Sequence, residues 1–473
     1  MHFINVILTV KIKSRIYCRP VVVTCDCPPV QISAMKKLGA KLDPSDLCTK
    51  ILANPDSNSN PEFPVHFVHD VAHCYKNIRN AWAHHIFLID SEGRKICWTL
   101  IEELVKLQER KGLNCANKLT SQHVNFKQQI MKVKLATQVF SRSVAVSLKF
   151  CRTVLKDPIF ADSEATEEFI LVMNDVFDIF NTRNFCEQGF KAPLDKRNKT
   201  SWYSRLETAS RYIQGLKNPM GASMVAVDKR KTAFVGMLAN IQALFSLFTF
   251  LVENGELNFL LTNKWSQDHL EHLFGLYRAR FGYNNNPTPR QMSFMYRKVL
   301  FGVTGSIVYN SNSMLQDSSE LVAIIPGTQE RSDYVLEHYD LHDIVDDIPS
   351  DLWTLDEYKT NVLEYILGFV VKSVVRKVEC DICINSLSRI PDKAESASLT
   401  KMRDHGEHST KLCLTYPSKF VEELGKLAEN IASQELLATQ NYLGKGRFKI
   451  NYIFLCQVAW FHFLSYPSIL KTL

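Results

Sequence analysis

The chain has 473 residues, 46% of them hydrophobic and 22% charged, with a formal charge of +7. That length supports two to four domains with a substantial core, and the composition is that of a globular protein, which excludes collagen-like and low-complexity chains. The positive balance admits an anionic partner without demanding one, because net charge does not locate a basic face.

Thirteen cysteines follow no regular spacing, which predicts reduced thiols in the cytosol or nucleus rather than a disulfide framework. Met1–Val10 reads as a β-strand, since no charged n-region precedes its apolar run. Val21–Cys25 is a continuous β-branched run, as in a strand buried on both faces. A turn follows at Asp26–Pro29, then a helix over Val30–Leu38 closed by Gly39. The polar stretch 54–61 is an exposed loop. A second strand, Val65–His69, ends at Asp70 and leads into a helix over 71–82. Asp70 carries two readings. A carboxylate at the C-terminal end of such a strand lies where α/β sheets bind ligands, and equally it can cap the following helix.

Residues 97–255 show almost no strand signal. A long helix over 124–155 is predicted from one stripe of Val133, Ala136, Phe140, Val144, Leu148, Cys151 and Leu155. Further helices are predicted at 164–181, 202–214 and 232–253. Lys127, Lys132 and Lys134 cluster at the start of the long helix, either to meet phosphates or as a solvated face. The stretch Lys264–Pro287 predicts another helix, with Ser266 as N-cap and Asp268 in the first turn. Leu270, Leu273, Phe274 and Tyr277 form its apolar stripe, and Asp268 and Glu271 share one face. Gly282 and Asn284–Asn286 end it, and helix resumes over Met292–Leu300. Residues 317–357 are acidic, with Arg331 the only Lys or Arg, and read as a linker. The region 360–440 is helical again. Tyr452–Leu464 is apolar but too short to span a bilayer, so no membrane segment is predicted.

Cys380 and Cys383, followed by His405 and His408, pair like zinc ligands, although the gap is longer and the His pair tighter than in a finger. Two unlinked pairs are the other reading. No P-loop, G-x-S-x-G elbow or H-E-x-x-H helix occurs. The remaining chemistry lies with carboxylates. Two-metal phosphoryl transfer brings acidic ligands together from separate elements, and Asp70 and Glu271 can supply two, with Asp26 as the local third candidate.

Ordered motifs then point to a family. They are D-V-A-H-C-Y-K-N-I-R-N at 70–80, D-S-E-G-R-K-I-C-W at 90–98, H-V-N-F-K-Q-Q-I-M-K-V-K-L-A at 123–136, and G-F-K-A-P-L at 189–194. S-Q-D-H-L-E at 266–271, N-N-N-P-T at 284–288 and Y-I-L-G-F-V-V at 365–371 complete the series. On these residues the chain resembles the P element-type DNA transposases from about Val21 to Ile431. The resemblance implies α/β plus α: an RNase H-like domain interrupted by an all-helical GTP-binding insertion, then a mostly helical C-terminal region. It divides the chain into 1–96 and 221–316 (RNase H-like), 97–220 (insertion), 317–360 (acidic linker), 361–440 (helical region) and 441–473 (atypical tail).

By the same resemblance, Asp70 and Glu271 are catalytic carboxylates holding Mg²⁺ or Mn²⁺, and Asp268 lies near a nucleotide–magnesium site. Asp178 and Asn181 fall where guanine contacts are expected, and Lys76, Arg79, Arg278 and Arg280 are the expected DNA-phosphate contacts. Transposon-end DNA, GTP and a second copy of the chain are the implied partners, and the nucleus is the implied location. The family's zinc finger, coiled coil and first catalytic strand lie upstream of the matched region, and Asp26 falls on a later strand that is not catalytic in the family. The expectation is therefore a transposase remnant defective in metal- and GTP-dependent strand transfer. Its alternative is a non-enzymatic regulator binding DNA or nucleotide.

Overall fold

The computed structural model describes residues 21–26, 29–52, 64–128, 130–279, 288–301, 355–377, 381–390, 399–404 and 414–439. The chain divides into two compact units. The first comprises Met1–Val105, Lys118–Ala145 and Asp162–Ile325, the second Lys106–Asn117, Val146–Ala161 and Pro326–Leu473.

The first unit begins with β1 (Val22–Cys25), α1 (Pro29–Lys37), the hairpin β2 (Lys41–Asp43) and β3 (Asp46–Cys48), β4 (Lys50–Leu52), β5 (Pro64–His69) and α2 (Val71–His85). In the three-stranded sheet β5 is central, parallel to β1 and antiparallel to β4. A parallel neighbour needs a crossover, which α1 and the hairpin help supply. Burial on both faces explains the composition of β5: Val65, Phe67 and Val68 are buried, and so are His66 and His69. Phe67 joins Cys25, Met35, Ala40 and Ile51 in one apolar cluster.

Next come the hairpin β6 (Phe87–Ile89) and β7 (Lys95–Cys97), α3 (Thr99–Lys111), α4 (Ser121–Val124), α5 (Val133–Val139) and α6 (Arg142–Thr153). The D-S-E-G-R motif makes the hairpin turn. Asp90 Oδ1 accepts from the backbone N–H of Glu92 and Arg94, and Gly93 takes φ +84°. The long helix predicted over 124–155 is broken into pieces, although its stripe from Val133 to Cys151 is buried as expected. At the break between α5 and α6, Phe140 is buried. Its ring stacks on Trp82 at 5.9 Å and meets the edges of Tyr75 and Phe169 at 5.4 and 5.8 Å.

The first unit continues with α7 (Glu164–Phe180), α8 (Lys199–Gly215), α9 (Thr232–Phe248), α10 (Asp268–Ala279) and α11 (Pro289–Phe301). Helix α9 packs against β5 and α2. Two of its residues make that approach possible. A Cβ on Gly236 would lie 3.2 Å from the His69 ring and 3.3 Å from Cys74 Sγ. Asn240, one turn later, donates from Nδ2 to the His69 carbonyl (2.9 Å) and accepts its N–H on Oδ1 (2.8 Å). The amide thus serves the end of β5 as a neighbouring strand would. Gly236→Ala is expected to cost about 1–3 kcal/mol by overpacking, measured as a lower urea midpoint at unchanged slope. Thr232–Glu253 is long and apolar enough to cross a bilayer, yet 72% of its apolar window is buried inside the fold. That is the pattern of a core helix.

The second unit takes the end of α3 from Lys106 and α6 from Val146, and holds α12 (Glu357–Val375), α13 (Asp381–Leu387), β8 (Ser388–Arg389), α14 (Leu399–Asp404), β9 (Tyr416–Pro417) and α15 (Lys419–Thr439). Tyr358 OH donates to the Leu113 carbonyl at 2.7 Å, and the Arg403 guanidinium stacks 4.1 Å over Tyr365. Gly368 is required where the Thr415 carbonyl crosses α12, because a Cβ there would run into the oxygen. The N-terminal strand, the acidic stretch up to residue 354 and the tail beyond 440 lie outside the described residues.

Candidate active site

The parallel register between β1 and β5 builds the site. Cys25 pairs with His69, and Asp70 N–H donates to the Cys25 carbonyl at 2.9 Å, so the next residues, Asp26 and Asp70, lie together at the sheet's C-terminal end. Asp70 is 1% exposed. Its Oδ1 accepts the His73 N–H at 2.9 Å as N-cap of α2, and its Oδ2 accepts the Gln267 N–H at 2.7 Å. Both sequence readings of Asp70 therefore meet in one side chain: it caps a helix and stands at the sheet end. It also tethers the start of α10, where Gln267 rather than Ser266 precedes the first helical residue. Gln267 Nε2 adds a longer bond to the Thr24 carbonyl (3.4 Å).

His73 stands among the carboxylates. Its Nδ1 lies 3.0 Å from Asp26 Oδ1 and 3.2 Å from Asp70 Oδ1, and its Nε2 lies 3.7 Å from Glu271 Oε1. Burial pulls the imidazole's pKa down, but the Asp70 carboxylate outweighs burial and Asp26 adds to it, so the net shift is upward. Burial pushes Asp70 up, but the bonds and charge of His73 and the Gln267 N–H win, and Asp70 is lowered. Asp268 goes the other way, raised to about 6 by burial and by the charge of Asp70. Glu271 is raised by burial first, with Asp70 and Asp26 adding and His73 opposing.

These shifts have a sign. A histidine raised above its ordinary 6.5 adds stability that is complete below that value and is lost as pH rises through the folded one. Lowered Asp70 adds stability that is lost only as pH falls below the ordinary carboxylate range. With chelator present, the melting temperature of the first unit is expected to decline as pH rises above about 6.5, and His73→Asn should flatten that decline.

Among the described residues, no three His, Cys, Asp or Glu side chains close into a ready metal-ligating set. The chemistry nonetheless fits a hard divalent cation. Asp26, Asp70, Asp268 and Glu271 crowd like charges on oxygen donors, and a histidine with raised pKa already stands between three of them. Asp26 and Glu271 are the accessible members, with side chains 46% and 30% exposed, whereas both Asp70 oxygens already accept backbone N–H groups. Sequence reasoning offered Asp26 as the local third candidate and, by resemblance, placed it on a strand that is not catalytic in the family; the parallel β1–β5 register brings residue 26 beside residue 70.

The nucleotide candidates lie at the end of α7. Asp178 is pushed up to about 6 by burial, which Lys191 opposes and Asp175 reinforces, and it accepts from Asn174 Nδ2 at 3.2 Å. Asn181 Oδ1 accepts from Arg183 Nε at 3.0 Å, and Arg183 Nη2 lies 3.7 Å from Asp268 Oδ2. Arg183, which the sequence reading passed over, thereby links Asn181 to Asp268. Thr182 and Thr262 hold the two segments together, with Thr262 N–H donating to Thr182 Oγ1 at 2.9 Å and Thr262 Oγ1 to the Ile179 carbonyl at 2.6 Å.

Other expectations fare differently. Lys76 and Arg79 are 6% and 0% exposed, so neither presents a cation to a DNA backbone, because α2 turns that face into the core. Arg278 is exposed, and Arg280 lies outside the described residues. The α10 stripe is not uniformly buried: Leu270 and Phe274 are 45% and 46% exposed. Of the zinc candidates, Cys380, His405 and His408 lie outside the described residues, as does the Cys383 side chain.

Comparison with known proteins gives this arrangement its class. Family models match for the TNP-like GTP-binding insertion domain over residues 72–193, the TNP-like RNase H C-terminal domain over 263–297 and the DNA transposase THAP9 C-terminal domain over 354–466. These matches, with the relatives that follow, support a P element-type transposase. It is 27% identical over 318 residues to the Transposable element P transposase of Drosophila melanogaster, covering 64% of this chain and 40% of that protein. It is 25% identical over 441 residues to DNA transposase THAP9 of Homo sapiens, covering 89% and 47%. The chain thus spans less than half the length of either relative. Among solved structures, the Drosophila P element transposase strand transfer complex matches with TM-score 0.53 and 26% identity over 63% of each chain.

Proposed function

We propose that the acidic cluster at the end of the β1–β5 sheet serves metal-dependent cleavage and joining of transposon-end DNA, with GTP bound by the insertion. The observation that carries this reading is the convergence of Asp26, directly after β1, and Glu271, from α10, on His73. Asp26 and Glu271 are the side chains that would hold Mg²⁺ or Mn²⁺, and Asp70 positions them by fixing the starts of α2 and α10. When bound, such a cation supplies charge to stabilise the attacking and leaving oxygens of the phosphodiester. Buried Lys76, which lowers the pKa of both His73 and Glu271, limits the charge the site carries without a cation. Asp178, Asn181 and Asp268, the last two joined through Arg183, are the proposed nucleotide contacts.

The expectation of a defective enzyme counted two carboxylates, whereas Asp26 makes three around His73. Purified protein with transposon-end DNA, GTP and Mg²⁺ or Mn²⁺ is expected to cleave above background. Salt-dependent DNA binding with no cleavage in any metal would instead establish the second reading, a non-enzymatic regulator. One observation favours that second reading: His73, its pKa raised by Asp70 and Asp26, already stands against both carboxylates. Nuclear location and self-association remain part of the same proposal, as the resemblance implies them.

A further inference from the structure

Nearly two turns beyond His73, helix α2 carries Arg79 into the interior, where its side chain is 0% exposed. Nε donates to Asn80 Oδ1 at 2.8 Å, while Nη1 and Nη2 have no hydrogen-bond partner among the described residues. The Phe126 ring lies 5.2 Å from the guanidinium carbon. Beside it His123 is 2% exposed, and burial, with Arg79's charge adding, lowers its pKa. Burial likewise lowers Arg79 to about 10. The neighbouring sequence reinforces the charge. From Lys118 to Arg142 there are five Lys or Arg and no Asp or Glu, and Lys118, Lys127, Lys132 and Lys134 are exposed.

Among the described residues this buried guanidinium has no counter-charge, a strongly disfavoured state that an anion there would relieve. The two unsatisfied nitrogens carry parallel N–H donors in the fork that matches two oxygens of a phosphate, and the aromatic ring steadies the guanidinium plane. We propose that Arg79 is the buried half of an anion site that takes a phosphoryl group on Nη1 and Nη2, the lysines of 118–142 drawing the anion in. The proposal rests on the GTP-binding reading only for the anion's source, a nucleotide phosphate as opposed to free phosphate.

The test follows thermal unfolding of the full chain with orthophosphate, GTP or guanosine, each against chloride at equal ionic strength. Arg79→Met keeps an apolar stem and is expected to fold, because replacing an unpaired buried charge by an apolar side chain is often neutral or stabilising. Wild type is expected to be stabilised by phosphate and by GTP. Arg79→Met should lose the phosphate response and bind GTP at least about tenfold more weakly, with its guanosine response unchanged. Arg79→Lys, a second variant should the first aggregate, keeps the charge without the fork and should lose most of the phosphate response. Wild-type protein indifferent to both phosphate and GTP overturns the proposal, as do variants that respond like wild type. If variants and wild type bind GTP equally, the anion site falls and the nucleotide reading stands. If wild type responds to phosphate but not to GTP, and Arg79→Met to neither, the anion site stands and the nucleotide reading falls.

Discussion

Asp26→Asn is expected to lower metal-dependent cleavage of transposon-end DNA by about 10³-fold while leaving the melting temperature nearly unchanged. The size follows from losing one carboxylate at a cation-stabilised phosphoryl transfer, worth several kcal/mol of barrier at about 1.4 kcal/mol per tenfold. The selectivity follows from geometry. Asp26 is 46% exposed and faces His73, which keeps Asp70 as its second partner. Asp70→Asn should behave differently, because one of its two positions accepting backbone N–H becomes an NH₂ donor facing a donor. It should lower stability and activity together. Cleavage rates and thermal melts of the two variants separate the roles, and an Asp26→Asn protein as active as wild type would remove Asp26 from the site.

The second large effect lies away from the carboxylates. Asn240→Leu removes both partners of the His69 backbone in a wholly buried place, stranding one N–H and one C=O. At about 1–3 kcal/mol for each stranded group, the loss is about 2–6 kcal/mol, a large fraction of the stability of an ordinary domain. Denaturant unfolding should show it as a lower midpoint, and hydrogen exchange should show β5 losing protection. Because His69 directly precedes Asp70, any folded fraction should also bind Mn²⁺ more weakly. Unchanged exchange at His69 would mean that the amide does not carry the strand end.

Relatives of which this chain matches less than half show what the matched region resembles, and the geometry shows how its parts cooperate. Asp70 is the clearest case: one carboxylate holds helix α2, the start of α10 and the place beside Asp26. Arg183 plays a similar linking part between Asn181 and Asp268. Neither link is visible in local sequence, because the partners lie 85 to 197 residues apart and only packing brings them within reach.

What the sequence by itself determined was local. The β-branched run before Asp26, the strand ending at Asp70 and the helices around Phe169 and Phe234 all follow from side-chain periodicity, which reports which face is buried. Asp70 and Glu271 were also legible as candidates, one from its place at a strand end and the other from its family motif. The tertiary structure decided the rest. The parallel register brought Asp26 beside Asp70, α2's inward face took Lys76 and Arg79 from the surface, and the long helix is broken where Phe140 is buried. Periodicity is a property of one segment, whereas register, the direction a buried cation faces and the point where a helix stops depend on the partners packed against it.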